Sequence, residues 1–159
     1  MSRSDVSLGS LLESTREFDI TEGRFDRADM VSFRRVRTIS FDAMNFLLCT
    51  SIAIGEEDYY KTLIAFYDLS YTGYGLSKPS EIDTPVRVSC SCPDFYFTFS
   101  EWNYEENSLY GRRRKKYTRK TFDRPERNIY HIPGLCKHLV NLKQILLDLN
   151  IIERSHYAS

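Results

Sequence analysis

VRVSCSCPDF, residues 86–95, and PGLCKHLVNLKQIL, residues 133–146, are the stretches from which the rest of the chain can be read. In the first, Val and Cys recur at every second position, the period of a β-strand. Val86, Val88, Cys90 and Cys92 therefore share one face, with Arg87, Ser89 and Ser91 on the other. Pro93 has no N–H to give to a ladder, so the strand ends or bends there. In the second stretch Leu139, Leu142, Ile145, Leu146 and Leu149 recur at helical spacing, which predicts an amphipathic helix over about 136–152. Pro133 and Gly134 stand just before its start. A C-x-C at a strand end thus precedes a C-x-H at a helix entry.

These two pairs suit one metal ion. A tetrahedral zinc with Zn–S bonds of about 2.3 Å holds two sulfurs about 3.8 Å apart. Side chains two apart on a straight strand are separated by about 6.6 Å, so a turn at Cys92–Pro93 is needed to close the gap. Residues two apart on a helix point about 200° apart. Cys136 is therefore expected at or before the helix cap, with His138 in the first turn and Gly134 giving the backbone its freedom. Helix-start N–H groups would favour a thiolate there. Cys90, Cys92, Cys136 and His138 then form a closed Cys₃His site for one structural Zn²⁺. Burial of the cysteines as core, or a Cys90–Cys92 disulfide, are the simpler readings. The disulfide needs a strained small ring, and core burial leaves the C-x-H unexplained. His131 and Asp94 are the nearest substitute ligands. Cys49, alone within FLLCTSIAI, reads as a small buried hydrophobe.

Upstream, VSFRRVRTI, MNFLLCTSIAI, YYKTLIAFYDL and VRVSC are strand-like in length and in their Val, Ile, Phe, Tyr and Thr content. Gly55 to Asp58 reads as a hairpin turn, and Tyr71 to Pro85, with two glycines and two prolines, as a loop. The expected class is α+β: an antiparallel meander of about four strands followed by a zinc-bound C-terminal helix. Residues 1–30 read as a flexible N-terminal arm, 31–152 as a single zinc-binding domain with a basic insertion at 109–127, and 153–159 as a tail. FYFTFSEWNY, residues 95–104, alternates as a core strand would, with Trp102 and Tyr104 as candidate interface anchors.

The C-x-C…C-x-H pattern after a β-rich lead resembles the SWIM zinc finger. The cadence VRVSCSCPDFYF…RNIYHIPGLCKHLVNLKQIL is similar to that of small SWIM-like proteins encoded among tailed-bacteriophage virion genes, over about residues 31–150. The insertion is longer than in cellular SWIM domains. The resemblance implies zinc on Cys90, Cys92, Cys136 and His138 and no enzymatic activity. It further implies an assembly role in the neck, tail or capsid of a particle, among other virion proteins and in many symmetric copies.

Charge supports an interaction role. The 159 residues carry 22 basic and 22 acidic side chains, a net charge of zero. Residues 109–127, however, hold nine basic and two acidic residues, a balance of +7 that leaves −7 on the remainder. Arg112, Arg113, Arg114, Lys115, Lys116, Arg119 and Lys120 are candidates for contact with a partner protein or, alternatively, with nucleic acid. No phosphate-cradling glycine loop, G-x-S-x-G, H-E-x-x-H or C-x-x-C is present, so no enzyme and no small-molecule substrate is expected. No apolar run approaches the ~18 residues of a membrane span, and residues 1–10 lack a signal-peptide core.

Overall fold

The fold is taken from a computed structural model, and the structure describes residues 4–18, 23–28, 31–55, 58–115 and 128–154. Its centre is a four-stranded antiparallel sheet in the order β1-β2-β3-β4, formed by Ser32–Phe41, Phe46–Ile54, Tyr59–Phe66 and Val86–Cys90. The meander and its strand positions are those expected from the sequence. The β2–β3 turn is closed by the Gly55 N–H donating to Asp58 O at 2.8 Å. Two helices cover one face. α1 spans Leu8–Phe18 and, after the short α2 (Arg24–Ala28) and α3 (Ser100–Glu105), α4 spans Lys137–Asp148. Alternation along the strands delivers Cys49, Ile64, Phe66, Val86, Val88 and Cys90 to this core. Leu8 and Leu11 of α1 and Leu139, Leu142 and Leu146 of α4 meet them there.

The two sheet edges differ. Beside β4, the Val88 N–H donates to Ser108 O and the Tyr110 N–H to Val88 O, while the Val86 N–H donates to Val6 O. Residues at the start of the basic insertion and from the N-terminal segment thus satisfy that edge. β1 lies at the other edge and is exposed along most of its length. Its pairing with β2 is broken by a bulge between Arg34 and Arg37, where Arg35 takes φ 54°.

Three expectations are corrected. The first concerns the N-terminal arm. Leu8, Leu11 and Leu12 are buried in the common core, and Thr15 Oγ1 accepts the Leu135 N–H at 2.9 Å. Leu8, Leu11, Leu12 and Thr15 occupy one helical stripe, so α1 is part of the domain rather than an appendage. The second concerns residues 95–104. Instead of a strand, Phe95–Phe99 form a turn of π-helix that runs on into α3. Phe95 and Phe99 are both fully buried and Phe97 between them is 38% exposed, a helical pattern rather than an alternating one. Pro93 explains the outcome, because its fixed φ favours the first turn of a helix. α4 is also shorter than expected, and Leu149 beyond it is exposed.

Candidate metal centre

The strand that carries the first cysteine pair ends at Cys90. Cys92 then acts as the cap of the helical turn that follows. Its carbonyl accepts the Tyr96 N–H at 3.2 Å, and its Sγ accepts the Phe95 N–H at 3.4 Å. The second pair is built alike. Cys136 is the N-cap of α4 in extended conformation, with φ −75° and ψ 170°, and His138 lies in the first turn. Both knuckles therefore place a cysteine at a helix start, which is how side chains two apart in sequence are brought together.

The result is one cluster. Cys90 Sγ, Cys92 Sγ, Cys136 Sγ and a ring nitrogen of His138 all lie within 4.8 Å of one another. His138 Nδ1 is 3.7 Å from Cys90 Sγ and 3.9 Å from Cys136 Sγ. These separations suit a tetrahedral ion, whose sulfur ligands stand about 3.8 Å apart. Three soft thiols and one imidazole are a donor set that favours zinc-like ions over hard cations. The four residues are Cys90 at 0%, Cys92 at 1%, Cys136 at 0% and His138 at 4% exposure. The Tyr60 ring lies 5.1 Å from the imidazole. No disulfide joins the cysteines.

Electrostatics distinguish the thiols. Hydrogen bonding by Cys136 and then Cys90 holds Cys92 well below the usual thiol range, against the effect of burial. Cys136 is pushed up by burial and by hydrogen bonding to Cys90 and Cys92. Cys90 is drawn down by Cys136, yet its hydrogen bond with Cys92, burial and the Cys92 charge together raise it. A divalent cation held among the three thiols would favour their thiolate forms.

The surroundings hold the knuckles in place. Asn103 brackets Gly134, its Nδ2 donating to Gly134 O at 3.0 Å and its Oδ1 accepting the Gly134 N–H at 2.9 Å. A Cβ on Gly134 would stand 2.5 Å from Phe99 Cε1 and 2.8 Å from Thr15 Oγ1. Close packing, not a left-handed backbone, is why glycine is required, which corrects the sequence expectation. The substitute ligands are occupied elsewhere. Asp94 accepts a two-pronged pair from buried Arg24, at 2.7 and 2.8 Å, and His131 stacks on Trp102 with ring centroids 3.9 Å apart. Cys49 is fully buried in the core, as expected.

The basic run is divided. Arg113 pairs with Glu101 and lies over the Tyr104 ring. Arg114 donates to Cys90 O at 2.8 Å, gripping a candidate ligand by its backbone. Arg112 and Lys115 are exposed, whereas Lys116, Arg119 and Lys120 lie outside the described residues. Trp102 is half-buried and Tyr104 is 41% exposed. Among the described residues no helix is long and apolar enough to cross a membrane. No family model, curated protein or solved structure matches the chain.

Proposed function

We propose that this chain is a non-enzymatic structural protein, stabilised by one zinc ion, that acts in assembly through protein–protein contacts. The observation that carries the reading is the burial of all four candidate ligands. A closed four-ligand centre has no open position for water or substrate, which suits a structural ion and not a catalytic one. The centre ties the end of β4 to the start of α4 and so closes the long segment between them. The resemblance of SCPDF and PGLCKHL to SWIM-like phage proteins supports placing the protein in a tailed-phage particle, at the neck, tail or capsid.

The test has two parts. Elemental analysis of the purified chain is expected to give one zinc per molecule, falling well below one in Cys92→Ser and His138→Ala. One tightly held zinc in both variants would overturn the ligand assignment. Mass spectrometry of purified particles should then find the protein at a fixed copy number; its absence would remove the virion role while leaving the metal centre intact. A nucleic-acid role through residues 112–120 is less well supported, because Arg113 and Arg114 are engaged within the fold.

A further inference from the structure

The four strands contain five basic residues and no Asp or Glu, although the chain has 22 acidic side chains. The pairing register concentrates this charge on the face opposite α1 and α4. Arg34 pairs with Ile52, and Ile52 with Lys61, so both cations lie in one outward row. Arg37 pairs with Thr50 in the next row, about 6.6 Å along the strand. Residues 34 and 37 would face opposite ways in a regular strand. The bulge at Arg35 supplies the extra residue that turns both guanidiniums to the same side. Arg34, Arg37 and Lys61 are exposed, and among the described residues no carboxylate forms a salt bridge with any of them. Arg87, on the same face, lies over the Tyr67 ring.

Aromatic rings stand at both ends of this face. Tyr59, 62% exposed, lies beneath the Arg34 guanidinium at one end. At the other, Phe41 stacks on Phe46, and Phe46 on Tyr67. Cations spaced along one sheet face that ends in exposed rings match a polyanion whose bases are free to stack. A duplex hides its bases, whereas a single strand offers both phosphates for the cations and base faces for the rings.

We propose that the outer face of the sheet binds single-stranded nucleic acid, with phosphates on Arg34, Arg37 and Lys61 and bases against Tyr59 and Phe41. The proposal does not rest on the assembly reading, since none of these residues is a candidate metal ligand. The test is fluorescence anisotropy of the full chain with a labelled oligothymidylate at two salt concentrations. Each phosphate contact to a single strand contributes about 0.7 to the slope of log K against log salt. The triple variant Arg34→Gln, Arg37→Gln, Lys61→Gln should therefore lose at least about tenfold in affinity and flatten the slope by about 2. Its zinc content and melting temperature should match wild type. Ultraviolet crosslinking of the unaltered chain should label Tyr59 or Phe41, a readout that needs no variant to fold. Absence of binding at low salt, unchanged binding by the triple variant, tighter binding of the duplex, or displacement by polyglutamate at equal charge would each overturn the proposal. So would loss of binding confined to the variant with residues 112–116 changed to Gln, or crosslinks confined to the 109–127 segment.

Discussion

Gly134 is the residue at which the core and the candidate metal centre meet. Its missing side chain lets Phe99 and Thr15 pack against the strand of backbone that leads to Cys136. Gly134→Ala introduces a Cβ where no heavy atom fits, and overpacking of this kind costs about 1–3 kcal/mol. A lower melting temperature together with faster loss of zinc to a chelator is expected; a fully wild-type melting curve would show that the packing yields. Cys49 makes a different prediction. Burial pushes its thiol up from about 9 to about 12. The folded chain therefore keeps a proton that the unfolded chain releases, so stability is intact below about pH 9 and falls as pH rises toward about 12. Urea midpoints compared on both sides of pH 9 should decline less steeply in Cys49→Ala than in wild type.

At the scale of elements, α1 is the piece whose role the sequence disguised. Its stripe of Leu8, Leu11, Leu12 and Thr15 is short, and its neighbours are polar, so it reads as a weak signal within a charged segment. Each buried leucine contributes about 1.5–3 kcal/mol. Deleting residues 1–18 should thus abolish cooperative unfolding in circular dichroism rather than trim an arm. Thr15→Val keeps the shape but removes the acceptor for the Leu135 N–H. An unsatisfied buried N–H costs about 1–3 kcal/mol, and the loss falls one residue before Cys136. Residues 95–99 show the opposite failure of reading. Phe95, Phe97 and Phe99 alternate as a strand does, but Pro93 opens a helical turn and the spacing of four between Phe95 and Phe99 becomes the relevant period.

At the scale of the molecule, the candidate metal centre draws its four residues from two parts of the chain that the rest of the fold brings side by side. If zinc occupies it, part of the binding free energy is folding free energy. A strong chelator should then lower the melting temperature of the wild-type chain, and added zinc should restore it; no shift would mean that the four residues hold together as an ordinary core. Much of this was legible locally. Period-two alternation and turn residues determined the four-stranded meander, and the spacings C-x-C and C-x-H determined the candidate ligands, because strand and cap geometry act over a few residues. What only the tertiary structure decided depends on distant partners. Thr15 meets Leu135 across 120 positions, and Arg114 reaches back to Cys90 across 24. The bulge at Arg35 decides which face carries Arg34 and Arg37, and it is defined only by the register against β2. Short-range periodicity records which way a side chain points, whereas the identity of what it meets is set by chain closure over long separations.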